Sequence, residues 1–164
     1  LCVAQGYQGR IAGTRKTTPG FRLAEKYALQ VGGADPHRYD LSSAIMLKDN
    51  HIDIFGSVSA AVSLARRQCS FTQKVEVECR SLEDSLEAAS SGADIVMLDN
   101  FMPEEARIVA EKVKSAFPHA LVEISGGISE DNVVNYICPS VDVISMGTLT
   151  QDQHHIDFSM RIIA

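Results

Sequence analysis

The sequence predicts an open or incomplete parallel α/β barrel of about six strands, and three observations predict it. Six short apolar runs recur along the 164 residues, separated by segments with helical patterning. Strands that alternate with helices bury in a parallel sheet or barrel. Each run stops at a polar, charged or glycine residue: Arg15-Lys16, Lys48-Asp49, Glu78, Asp99-Asn100, Ser125-Gly126-Gly127 and Gly147. A closed eight-stranded barrel takes about 250 residues, so 164 residues leave the barrel open, smaller or cut at its start.

The elements follow in order. Arg10 to Thr14 reads as a short strand. Thr18 caps a helix with Pro19 at its first position, where the missing N–H goes unneeded. That helix runs to about Gln30, with Leu23, Ala24 and Tyr27 as its apolar set and Gly32-Gly33 as its stop. Residues 33–43 read as a loop, and Ala44 to Leu47 as the next strand. Ser57 caps a helix that turns Val58, Ala61, Val62 and Ala65 inward. Lys74 to Cys79 alternates, Val75 and Val77 on one face, Glu76 and Glu78 on the other. The pattern leaves open whether Glu76, and Glu123 further on, face the barrel lumen or the helices. Ser81-Leu82-Glu83-Asp84 resembles a capping box ahead of a stripe of Leu82, Leu86 and Ala89. Ile95 to Leu98 is a wholly apolar strand of the buried parallel kind. Pro103-Glu104-Glu105 starts a helix with acids at its positive end. Leu121 to Ile124 and Val141 to Met146 complete the strands, with Ser129 capping a short helix between them.

Composition narrows the function classes. Hydrophobic content of 45% is that of a globular domain, and one domain over 1–164 is expected. No apolar stretch is long enough to span a bilayer. The chain starts at Leu1 with no charged-then-apolar leader, so a fragment or processed chain without a signal peptide is expected. Cys2, Cys69, Cys79 and Cys138 form no close pair, which favours reduced thiols in a cytoplasmic protein over a disulfide framework or metal cluster. A net charge of −6 disfavours nucleic acid as a partner. Yet residues 1–48 carry seven Lys/Arg against three Asp/Glu, and the remainder eight against eighteen. A basic segment in an acidic chain points to a local anion site.

In a parallel α/β fold, ligands sit at the carboxyl ends of the strands. Ser125-Gly126-Gly127-Ile128 follows a strand and opens a helix, an arrangement that presents N–H groups to phosphate. Met146-Gly147-Thr148 follows the last strand. Either turn alone could be only a turn; two in adjacent late units favour phosphate. Arg15, Lys16, His37, Arg38 and Lys48 all fall at strand ends or in the loop between, and Arg15-Lys16 stand at the barrel mouth. Glu78 and Asp99 end successive strands, where two carboxylates can share one Mg²⁺ or pair with the cations. His51, His119, His154 and His155 read as structural or exposed.

Taken together, Gly13-Thr14-Arg15-Lys16-Thr17-Thr18-Pro19-Gly20-Phe21-Arg22, His37-Arg38-Tyr39, Lys48-Asp49-Asn50-His51, Val75-Glu76-Val77-Glu78, Met97-Leu98-Asp99-Asn100-Phe101, Ser125-Gly126-Gly127-Ile128 and Ile144-Ser145-Met146-Gly147 closely resemble the quinolinate phosphoribosyltransferase family. The resemblance covers essentially the whole chain, and Val77-Glu78-Cys79 and Ile144-Ser145-Met146-Gly147 look more like the eukaryotic form. It implies transfer of phosphoribose from phosphoribosyl pyrophosphate to quinolinate with loss of CO2, giving nicotinate mononucleotide and pyrophosphate, with Mg²⁺ required. It implies that Arg15, His37, Arg38 and Lys48 hold the quinolinate carboxylates. Lys16, Glu78, Asp99, Ser125, Gly126, Gly127 and Gly147 would hold ribose, phosphate, pyrophosphate and metal, with Lys48, Glu78 and Asp99 nearest the chemistry. Glu78 and Asp99 would meet Mg²⁺ directly or through the substrate.

The family's N-terminal domain, which covers a partner's active site and lends it an arginine, has no counterpart in this chain. A homodimer or higher homo-oligomer is therefore expected of the full-length form. The chain alone is expected to bind phosphoribosyl ligands weakly. Competing readings are a phosphoribosyltransferase acting on nicotinate or another carboxylated ring, a phosphate-binding isomerase or aldolase barrel with Lys48 as a Schiff-base amine, and a fragment that keeps only the fold.

Overall fold

The computed structural model describes residues 6–151 and 156–163. Cys2, His154 and His155 lie outside the described residues. The chain forms β1 (Arg10–Ala12), α1 (Arg22–Val31), β2 (Ile45–Leu47), α2 (Asp49–Phe55), α3 (Val58–Gln68), β3 (Val75–Cys79), α4 (Leu82–Ser90), β4 (Ile95–Asp99), α5 (Pro103–Ala116), β5 (Leu121–Ser125) and β6 (Val143–Ser145). Short 3-10 helices follow at Val133–Tyr136 and Gly147–Leu149.

All six strands are parallel, in the order β1-β6-β5-β4-β3-β2. This is the neighbour sequence of an α/β barrel left open between β1 and β2. On that open side Asp35 pairs with Ala12 as an isolated parallel bridge. Among the described residues no helix is long and apolar enough to cross a membrane.

Strand periodicity sorts the residues into two layers. Val75, Val77, Val96, Leu98, Val122, Ile124 and Ile144 are at most 1% exposed and pack toward the helices. They meet Val58, Ala61 and Val62 of α3, Ala88 of α4, and Ala106, Val109, Ala110 and Val113 of α5. Burying each such Val, Leu or Ile contributes about 1.5–3 kcal/mol. The alternate positions of the same strands hold Glu76 and Glu78, Met97 and Asp99, Glu123 and Ser125, and Ser145, polar or charged except Met97. They form the inner face and carry the site.

The caps at Ser57 and Ser81 are as expected, each side chain accepting the N–H of the third residue on. Four expectations change. α1 starts at Arg22, because Pro19-Gly20 make a turn closed by the Phe21 N–H to the Thr18 carbonyl, with Gly20 at φ 79°. Its apolar set also faces outward: Leu23 is 74% and Tyr27 67% exposed, whereas Lys26 and Leu29 are buried. α2 was not expected. Its seven residues lack an apolar stripe, and it is held by the Lys48 N–H donating to His51 Nδ1 (2.9 Å) and by Gly56 in the left-handed region. Ser129 caps no helix: its own N–H is held by Asn132 Oδ1 (2.9 Å), and the short 3-10 helix begins only at Val133.

Candidate active site

The carboxyl ends of the strands enclose a cleft of about 290 Å3. It is lined by Arg15 and Lys16 after β1, His37 and Arg38 from the loop, Lys48 after β2, Glu78 on β3, Asp99 on β4, and Ser125, Gly126 and Gly127 at the end of β5. These expected site residues come from six separate stretches of chain. Gly147 alone among them does not line the cleft; it opens the 3-10 helix after β6, where its carbonyl accepts the Gln151 N–H (2.9 Å). A larger cavity of about 780 Å3 lies at the opposite, amino ends of the strands and shares His37, Arg38 and Glu123 with the cleft. Ligands of parallel α/β folds bind at the carboxyl ends, so the smaller cleft is the candidate.

The acidic wall is tied to cations. The Lys48 ammonium donates to Glu78 Oε2. Arg80, half-exposed, reaches Asp49 (3.0 Å), Glu78 (3.7 Å) and Asp99 (3.9 Å). Burial, with Glu78 next to it, raises the pKa of Asp99. Two hard oxygen donors on adjacent strand ends, mutually repelling, fit a divalent cation such as Mg²⁺.

Ser125-Gly126-Gly127 form the turn beside these acids. Gly126 has φ 101°, and a Cβ there would sit 2.9 Å from the Asn100 amide nitrogen and 2.7 Å from its side-chain Cγ. Asn100 itself is left-handed, at φ 60°, and donates its N–H to the Ser125 carbonyl (2.9 Å). The two strand ends therefore interlock. The turn lacks the expected α-helix behind it, so its anion affinity rests on backbone N–H groups rather than on a helix dipole.

The basic wall behaves differently. The Nε of Arg15 is buried without a hydrogen-bond partner among the described residues, an unmet donor on a cleft lining. Arg38 reaches back to the Ala44 carbonyl (3.4 Å) and Met46. His37 is in the left-handed region at φ 57°. Its Nδ1 accepts the Arg38 N–H (2.6 Å), so the ring proton sits on Nε2, facing Glu123 Oε1 at 3.3 Å. Burial opposes a charge on the ring; the bonded Glu123, with Glu76 behind it, outweighs that and raises its proton affinity. A second proton on Nδ1 would cost the Arg38 amide bond.

Glu76 and Glu123 settle the question that alternation left open: both face the lumen, 1% and 2% exposed. Glu123 is satisfied by the Ser145 hydroxyl (2.6 Å) and His37. Burial, with Glu123 close by, lifts the Glu76 carboxyl to about 8, so near neutral pH it keeps its proton. The donors of His37, Glu76 and Glu123 lie within 4.8 Å of one another. His37, Arg38 and Lys48 offset only part of that rise, and Glu76 Oε1 stays without a hydrogen-bond partner among the described residues.

Reading the residues alone missed Arg80, Lys26 and the Glu123–Ser145 pair, and named Asn100 only as part of a strand end. Arg80 could have been found as the next residue after a strand end. Nothing in the spacing marks Lys26.

Comparison with known proteins gives a single answer. The model of the quinolinate phosphoribosyl transferase C-terminal domain matches residues 2–161. The human nicotinate-nucleotide pyrophosphorylase (carboxylating) is 55% identical over 159 residues, 97% of this chain and 54% of that protein. Its namesake in Dictyostelium discoideum is 52% identical over 158 residues, 96% of this chain and 53% of that protein. The crystal structure of NadC from Streptococcus pyogenes superposes with a TM-score of 0.87 at 43% identity, covering 97% of this chain and 55% of that one. The chain spans about half the length of the curated relatives it matches.

Proposed function

This chain belongs to the quinolinate phosphoribosyltransferase family, as its C-terminal domain, and from that premise we propose that it supplies the catalytic cleft for phosphoribosyl transfer to quinolinate with decarboxylation. One observation carries the reading: cations, carboxylates and a glycine turn from six stretches of chain line one cleft. Arg15, Arg38 and Lys48 provide more positive charge than a single carboxylate would use, which favours a diacid ring over nicotinate. His37 has both ring nitrogens engaged by Arg38 and Glu123, so it shapes the wall and reaches a substrate carboxylate only by giving up one of those bonds.

Lys16, Ser125, Gly126 and Gly127 would take the phosphates of phosphoribosyl pyrophosphate. Glu78 and Asp99 would hold the ribose hydroxyls and, with the substrate phosphates, Mg²⁺. When bound, that ion stabilises the charge of the departing pyrophosphate. The chain's residues do the rest by placement. They set the pyridine nitrogen against ribose C1 as the C1–O bond weakens, and the cationic wall steadies the ring carboxylates. Once the nitrogen is alkylated, its positive charge stabilises the electron pair left on the adjacent ring carbon as the bond to CO2 breaks, and a proton from solvent then replaces the lost carboxylate there. No protein nucleophile is required; positioning and fixed charge supply the rate.

A pyrophosphate-release assay comparing quinolinate with nicotinate, with and without Mg²⁺, tests this. Release with quinolinate alone, dependent on Mg²⁺, is expected, at a low rate if the chain acts without a further domain. Equal release with nicotinate would overturn the diacid reading. A full-length form is expected to be a homodimer or higher homo-oligomer.

A further inference from the structure

Lys26, on α1, is 4% exposed. Its ammonium donates to the carbonyls of Thr14 (2.9 Å), Arg38 (3.0 Å) and Pro36, which uses all three of its protons. Among the described residues no carboxylate lies within ion-pair distance of it. Burial, with Arg22 and Arg38 close by, pulls its pKa below the usual lysine value. A cation is therefore held at a cost, among other cations, by three peptide carbonyls, with Asp35 favouring the charge from beyond ion-pair distance.

The three carbonyls are not an arbitrary set. Thr14 immediately precedes Arg15 and Lys16. Pro36 and Arg38 flank His37, whose left-handed backbone is a strained state for a residue with a side chain. Such strain persists only where the surroundings over-determine it. Asp35 accepts the His37 N–H (2.8 Å) on one side, and Lys26 holds the carbonyls of the residues before and after it. The two loops that carry Arg15, Lys16, His37 and Arg38 thus meet at one ammonium.

We propose that Lys26 is a positioning residue for the diacid subsite, a buried staple that joins the loop after β1 to the loop before β2 and so sets the spacing of Arg15 against Arg38. It touches no substrate. The inference rests on the functional reading above and deepens it: the staple acts on the carboxylate-binding wall, and leaves the phosphate-binding turn of β5 untouched.

Calorimetry with quinolinate and, separately, with phosphoribosyl pyrophosphate and Mg²⁺ tests it on the unsubstituted protein, Lys26→Met, Lys26→Gln and Leu29→Ala. Leu29 is buried on the same helix, and its truncation loosens α1 without removing the staple. In Lys26→Met, quinolinate affinity should fall at least tenfold, and phosphoribosyl pyrophosphate affinity several-fold less, because, of its contacts, only Lys16 sits on the stapled loops. Lys26→Gln, which keeps two donors, should fall between, and it carries the test if the methionine variant does not fold. Amide hydrogen exchange at residues 13–16 and 37–38 should speed up in step. Equal losses for both ligands, or the same selective loss in Leu29→Ala, would overturn the proposal and leave Lys26 a stability residue. No quinolinate binding to the unsubstituted protein would instead bring down the functional reading itself, and the staple's role with it.

Discussion

The two walls of the cleft are built by different means. The acidic and glycine wall hangs on β3, β4 and β5, five-residue strands at the centre of the sheet with paired neighbours on both sides. The basic wall hangs on β1 and β2, three-residue strands at the sheet's two edges, and on the loop between them. In the first, the backbone ladder aims the side chains, and a residue's place in the strand decides its role. In the second, individual side chains do that work: Lys26 on three carbonyls, Asp35 on the His37 N–H, Glu25 on the Thr18 N–H (3.1 Å). Ladder-built geometry resists single substitutions outside its tight turns; loop-built geometry depends on single residues.

The sharpest way to break the ladder-built wall is Gly126→Ala. Overlap with Asn100 adds to a backbone at φ 101°, and a loss of about 3 kcal/mol is expected in urea unfolding. Gly127→Ala, at φ 64° with open space around the new Cβ, should cost only about 1 kcal/mol. Similar losses at the two positions would show that the interlock with Asn100 is not what holds this turn.

A smaller effect sharpens the contrast through pH. Glu76 holds its proton to about 8 in the folded chain, whereas an unfolded carboxyl releases it at the ordinary value of 4.5. Between those values the folded state binds more protons, so stability is greatest at the acid end of that window and falls as pH rises through it. Glu76→Gln removes that slope. Its melting temperature relative to the unsubstituted protein should climb from pH 5 to pH 8 in magnesium-free buffer; parallel curves would contradict the buried neutral acid. The smallest effect belongs to Arg80→Ala. Arg80 is exposed and its ion pairs are screened, so stability should change by less than about 0.5 kcal/mol. A larger loss in chemical unfolding would mean that Arg80 is needed to hold the acidic wall together.

The same division explains what could be read from the residues. β3, β4, β5, α3, α4 and α5 were legible because their periodicity is imposed by burial on one face, and Ser57 and Ser81 announce their helices. The ends of the central strands then located Glu78, Asp99 and Ser125-Gly126-Gly127. α2 was not legible because seven residues carry too little pattern, and α1 was misread because its buried face is a lysine and a leucine. Hydrogen bonds from Lys26, together with the burial of Leu29, orient that helix. Glu76 and Glu123 could have faced either layer, since alternation fixes which residues share a face but not which face is inside. Arg15, His37, Arg38 and Lys48 were legible only as residue types in the right places. That they reach the same cleft as the acids depends on loop contacts with no sequence period.

A crystal structure of the protein with quinolinate would show whether the two walls share one ligand. The diacid is expected in the cleft between Asp99 and Lys48, with its carboxylates within hydrogen-bonding distance of Arg15 and Arg38. Quinolinate bound at the amino ends of the strands, or against one wall with Arg15 and Arg38 unengaged, would contradict that expectation.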